Sequence, residues 1–116
     1  MNIQRISKSF AICILSILFI FPPVAPADDM PTFQLTANNG HFTPTTIEIP
    51  AGTKFRIEIK NEGSTPEEFE SIELRKETVL APGVTRTLVF APMRPGIYPF
   101  FGDFHPDTAK GRIVIK

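Results

Sequence analysis

Residues 54–60, Lys-Phe-Arg-Ile-Glu-Ile-Lys, alternate charged and apolar side chains without a break. A strand turns successive side chains to opposite faces, so this run puts Phe55, Ile57 and Ile59 on one face and charges on the other. The same period of two recurs at Phe33, Leu35 and Ala37, at Ile47 and Ile49, and at Ile72 and Leu74. It continues at Leu88 and Phe90, at Tyr98 and Phe100, and at Ile113 and Ile115. No stretch after Ala27 shows the apolar spacing of an amphipathic helix. Asn38-Asn39-Gly40, Pro50-Ala51-Gly52, Glu62-Gly63-Ser64, Pro82-Gly83 and Pro95-Gly96 supply turns between the runs. Short strands at this spacing predict an all-β fold, an antiparallel sandwich or barrel with one shared core. Pro99 interrupts an otherwise good strand. It calls for an edge, a bulge, or a ring nitrogen turned away from a partner.

The N-terminal stretch follows a different rule. Arg5 and Lys8 precede an apolar run from Ala11 to Phe21, followed by Pro22, Pro23 and Ala25-Pro26-Ala27. This predicts a secretory signal peptide over residues 1–27, cleaved after Ala27, and a periplasmic mature protein. The run is short for a membrane span. Removing 27 of the 116 residues leaves 89, and it removes Cys13, the only cysteine. Disulfides, thiolate ligands and thiol nucleophiles are thereby excluded from the mature chain. Without Arg5 and Lys8, 10 basic residues face 12 acidic ones, a net charge of −2. That balance gives no reason to expect a nucleic-acid partner.

Few residues carry chemistry. Ser64 and Ser71 are the serines after Ala27, and neither sits in a Gly-x-Ser-x-Gly elbow; no glycine loop is built to cradle phosphate. Glu67, Glu68, Glu70 and Glu73 crowd into seven residues, and Glu68 and Glu70 share a strand face. Such a cluster either holds a cation or forms a solvated acidic edge that discourages strand pairing. The two histidines, His41 and His105, both lie at turn–strand junctions beside a phenylalanine. Each alone is compatible with an ordinary surface position. If the junctions share one end of the sandwich, two imidazoles and a carboxylate of the 67–70 segment could form a site for copper(II), iron or zinc.

The order "GHFTPTTIEIPAGTKFRIEIKNEG", "PEEFES", "LAPGVTRTLVF", "RPGIYPFFGDFHPDTAKGRIVIK" resembles a cupredoxin domain from about Phe33 to Lys116. It is most similar to the EfeO-type cupredoxin-like proteins associated with periplasmic iron uptake. The resemblance implies a Greek-key β-sandwich of about seven to eight strands over residues 28–116. Blue-copper members carry Cys-x-x-His and then methionine in the closing loop. Here Gly102 falls at the cysteine, His105 at the histidine, and no methionine lies between His105 and Gly111. The Glu67–Glu68 region stands where the upstream histidine belongs. A type-1 blue-copper centre needs a thiolate and is not expected. The resemblance implies instead a nitrogen- and oxygen-ligated copper or iron ion. The expected ligands are His41, Glu68, Glu70, Asp103 and His105, with Glu-x-Glu matching Glu68-Phe69-Glu70. The implied role is to bind ferrous iron, and to help oxidise it, for a membrane iron permease alongside other periplasmic iron-uptake proteins. One small domain offers no electron acceptor, so no enzymatic activity is assigned. The contrasting expectation is a metal-free sandwich that docks on a membrane or periplasmic partner.

Overall fold

The computed structural model describes residues 13–22 and 30–116. Residues 13–22 carry no regular secondary structure, and the apolar side chains from Ile14 to Phe21 are exposed. Among the described residues no helix is long and apolar enough to cross a membrane. The rest of the expected signal segment, including the cleavage point after Ala27, lies outside the described residues.

Nine strands follow: β1 Thr32–Asn38, β2 His41–Thr43, β3 Thr46–Ile49, β4 Phe55–Asn61, β5 Glu67–Ser71, β6 Lys76–Leu80, β7 Thr85–Phe90, β8 Gly96–Phe101 and β9 Lys110–Ile115. They form a four-stranded sheet, β2-β1-β4-β7, and a five-stranded sheet, β3-β9-β8-β5-β6. Leu35, Ile57, Ile59, Phe69, Leu80, Phe100 and Ile113 are among the residues filling the space between them. Apolar burial at every second residue is what holds the two sheets face to face.

Two details depart from the purely antiparallel, seven- to eight-strand expectation. β1 pairs parallel with β4, and β3 pairs parallel with β9. β2 is a three-residue strand that pairs back on β1 before the chain crosses to the other sheet through β3. The crossover returns β4 beside β1 in the same direction. The Ile72–Leu74 alternation is not a strand. It lies in the β5–β6 turn, where Arg75 adopts a positive φ of 54°, and Ile72 is exposed. The preceding strand takes its inward phase from Phe69, which is fully buried.

Pro99 lies in an interior strand, and its missing donor faces β5. In a sheet the amide and carbonyl of one residue point the same way. The Pro99 carbonyl accepts from Ser71 Oγ at 2.8 Å, so the ring nitrogen also faces β5. The β5–β8 ladder is correspondingly short, with Glu70 opposite Phe101 as its register pair. The β8–β9 ladder runs unbroken from Gly96 to Phe101.

Candidate metal centre

Three chain crossings meet at one end of the sandwich. The first is the β1–β2 turn, with Asn39 at φ 46° and Gly40 at φ 83°. The second is the β4–β5 connection. Asn61, buried at the end of β4, donates from Nδ2 to the carbonyls of Thr65 (2.8 Å) and Leu80 (3.0 Å) and accepts from Gly63 N at 2.9 Å. Asn39 Oδ1 accepts from Ser64 N at 3.2 Å, which ties the first crossing to the second. The third is the closing loop between β8 and β9. Gly102 N donates to Ala109 O, and His105 O accepts from Ala109 N, both at 2.8 Å, so the loop folds over His105. A side chain at Gly40 would meet the His105 ring at 2.9 Å, so the first turn packs directly on the third. Phe42, Phe69 and Phe100, one from each region, pack edge-on or tilted beneath this end, with centroids 5.0–6.3 Å apart.

Glu67 joins this end to the core. The strand phase that buries Phe69 also turns Glu67 inward, and its side chain is 3% exposed. Glu67 Oε2 lies 2.5 Å from His105 Nδ1, and Oε1 accepts from Glu68 N at 3.0 Å. The His105 side chain is 35% exposed, so its outer edge reaches solvent. A Cβ at Gly102 would overlap Glu67 Oε1 and lie 2.8 Å from the Glu68 carbonyl oxygen. The carboxylate therefore occupies the space in front of Gly102. The glycine and the glutamate fit each other, and a thiolate at 102 would have no room. The residues present do not fit a thiolate-ligated copper.

Glu68 and Glu70 leave β5 on its other face. Register pairs Glu70 with Glu77 and Glu68 with Val79. One carboxylate oxygen from each of Glu68, Glu70 and Glu77 lies within 4.8 Å of the others. This is the one such group of three or more acidic, histidine or cysteine ligands among the described residues, and neither histidine belongs to it. Glu68 is 5% exposed, and its Oε1 has no hydrogen-bond partner. Burial pushes its pKa from the usual 4.5 up to about 7. A side-chain hydrogen bond with Glu70 and the charges of Glu70, Glu77 and Asp103 add to the rise. Asp103, in the closing loop, thus acts on Glu68 from across the strand order. His41 is exposed at the head of β2, opposite Asn38.

The expected ligands therefore fall in three places: His105 at the inner pair, Glu68 and Glu70 outside with Asp103 acting on Glu68, and His41 exposed at the head of β2. The sequence reading left Glu67 and Glu68 as alternatives and passed over Glu77. Phe69 was the usable signal for Glu67, because an inward phenylalanine at 69 forces 67 inward and 68 and 70 outward.

The Glu68 shift has a consequence for stability. Folded Glu68 keeps its proton up to about pH 7, while the unfolded chain releases it near 4.5. Through this group the unfolded state binds fewer protons across that window, so the contribution of Glu68 to the stability of the metal-free fold falls as pH rises from 4.5 to 7 and is not recovered above it. Glu68→Gln is expected to flatten this part of the profile. Urea midpoints in chelator at both ends of the window measure it, and equal slopes in parent and variant would contradict it.

The family model of the cupredoxin-like domain matches residues 11–115. The chain belongs to the cupredoxin-like family. This cupredoxin-like domain is 40% identical over 89 residues to an uncharacterized protein, RP394, of Rickettsia prowazekii, covering 77% of this chain and 71% of that one. Its fold is similar to that of dithionite-reduced auracyanin from Roseiflexus castenholzii, with a TM-score of 0.62, 15% identity, and 73% and 96% of the two chains covered. It is also similar to the metal-binding domain of the Cu(I)-exporting P-type ATPase CopA of Streptococcus pneumoniae, with a TM-score of 0.65, 17% identity, and 79% and 91% covered. At these identities the solved structures establish the shared sandwich.

Proposed function

We propose that this cupredoxin-like protein is a periplasmic metal-binding protein that holds copper(II) or iron through nitrogen and oxygen donors and assists iron uptake. The observation that carries this reading is the His105–Glu67 pair. The histidine of the closing loop is kept, and a carboxylate fills the space before Gly102. Imidazole with carboxylate suits copper(II) by affinity and iron by hardness. His105 offers the ring nitrogen that Glu67 does not hold, Glu67 orients that ring from its buried side, Asp103 of the same loop is an oxygen donor, and His41, exposed on the adjoining turn, is the second imidazole. The Cu(I) handled by the similar CopA domain supports the metal, and the EfeO-type resemblance supports the uptake role. The partner in this reading is a membrane iron permease with its periplasmic companions.

Calorimetry with copper(II) and with ferrous and ferric iron tests the reading. A bound ion raises the melting temperature by mass action. His105→Ala is expected to weaken binding by about 100-fold or more, as removal of a direct ligand costs at least what loss of its supporting shell does. Unchanged affinity in His41→Ala removes that residue from the site. If no metal binds, the contrasting reading stands: Glu67 and His105 already satisfy each other, and the sandwich is a docking module.

A further inference from the structure

We propose that the outer face of the five-stranded sheet is a dimer interface, covered by a second copy of this chain about a two-fold axis that runs along β8. It does not rest on metal binding at His105. The two sheets present different outer faces. Phe55, Ile57 and Ile59 point inward, so β4 turns Glu58 and Lys60 outward, beside Gln34 and Thr36 of β1 and Thr87 of β7. That is a solvated sheet face. On the five-stranded sheet, Phe100 is buried and Tyr98 packs on the core, so the central strand β8 presents Ile97, Pro99 and Phe101 to the outside. Ile97 is 59% exposed, and its register partner Val114 widens the stripe. Ile72 is 69% exposed at the end of β5, held near Pro99 because Ser71 Oγ donates to the Pro99 carbonyl. A contiguous apolar stripe of this kind marks an interaction surface.

Charge identifies the occupant. In the row that crosses Phe101, register places Lys110 on one side and Glu70 on the other, with Glu77 beyond Glu70. Lys110 and Arg112 therefore flank the stripe on β9, and the two glutamates flank it on β5 and β6. Among the described residues, Lys110, Glu70 and Glu77 belong to no ion pair. Glu70 and Glu77 stand directly opposite each other, which is unfavourable without a neighbouring cation. A half-turn about an axis along β8 keeps each residue's height on the strand and exchanges the two sides. It lays the apolar stripe on its own copy and sets each Lys110 over Glu70 of the other copy, so the pairing is made twice. A half-turn about an axis across the strands would instead set Lys110 over Val114 and leave both charges unpaired. Sheets packed face to face cross at about 30°, so alignment is closest near the axis, where these rows lie. A face carrying one sign of charge would repel its own copy, and this one complements it. An apolar centre with a charged rim, matched to itself by a two-fold axis, has the anatomy of a homodimer interface.

Sedimentation equilibrium of the purified protein in chelator, over a range of concentrations, tests the proposal. The parent is expected to be a dimer that dissociates on dilution. Ile97→Glu sets two carboxylates against each other on the axis, and Lys110→Glu sets each new carboxylate against Glu70. Each is expected to weaken the dimer at least about tenfold. Lys110→Glu combined with Glu70→Lys exchanges the charges and is expected to recover most of the parent's affinity. Ile97 and Lys110 are exposed, so their variants should melt with the parent. A parent that stays monomeric up to about 1 mM overturns the proposal and leaves the face to a different protein. A dimer that Ile97→Glu leaves intact also overturns it, because the contact then lies on another surface. So does an exchange variant that regains nothing of what Lys110→Glu loses.

Discussion

His105→Ala is expected to destabilise the metal-free protein by about 2–4 kcal/mol, which for a domain of this size lowers the melting temperature by roughly 10–20 °C. A half-exposed loop histidine would ordinarily cost a few tenths. The difference comes from what is left behind. Glu67 Oε2 has His105 Nδ1 as its partner at 2.5 Å, in a side chain that is 3% exposed. Removing the ring strands that oxygen inside the sandwich. It also removes the surface on which the Gly40 turn rests, since a Cβ there would stand 2.9 Å from the ring. The His105 backbone still closes the loop through Ala109 N, so the variant should fold.

The companion variants fix the cause. Glu67→Gln keeps the shape and one carbonyl oxygen, and it is expected to cost about 1 kcal/mol. Glu67→Ala also opens a void and frees Glu68 N, and is expected to cost as much as His105→Ala. Urea unfolding with chelator present, comparing the three, reads the pair without any contribution from metal. His105→Ala melting within a degree or two of the parent would show that the pair locks nothing. The fold would then be held by the phenylalanine cluster alone.

How much of this was legible in the sequence depended on which side of a strand had to be known. Phe55, Ile57 and Ile59 are each fully buried because an unbroken alternation leaves one phase available. The closing loop could be placed from its Pro-Gly start, its aromatic strand and its β-branched end. The 67–70 segment was harder, because adjacent acids are equivalent in composition and opposite in direction. One residue of register decides whether Glu67 meets His105 or faces water. Phe69 held that information, but the apolar pair Ile72 and Leu74 suggested that the strand continued, and it does not. Glu77 was out of reach for a different reason. Its place opposite Glu70 is fixed by the turn over residues 72–75, whose closure needs a positive φ at Arg75. No glycine or asparagine marks that position. The parallel β1–β4 and β3–β9 ladders were likewise invisible, since alternation fixes a face and not a direction.

Gly102→Ala tests the fit between the Glu67 carboxylate and the space in front of Gly102. One added methyl group is expected to cost about 2–4 kcal/mol, at or above the upper end for overpacking, because there is little freedom to yield. The methyl carbon would overlap Glu67 Oε1 and stand 2.8 Å from both Glu67 Cδ and the Glu68 carbonyl oxygen. Gly102 cannot move away easily, since its own N–H is held by Ala109 O and its carbonyl accepts from His105 N. The side chain that can give way is Glu67, and giving way breaks its bond to His105. The substitution should therefore shift the imidazole 15N resonances of His105 although it touches neither ring nitrogen. A double-mutant cycle with Glu67→Ala separates the side-chain clash from the backbone one. With the carboxylate gone, adding the methyl should cost less than it does in the parent, with a coupling of about 1–3 kcal/mol. The contact with the Glu68 carbonyl remains, so the rescue is partial. Strict additivity would mean that Glu67 and the space before Gly102 are independent. The glutamate would then not be held in place by the absence of a side chain at 102.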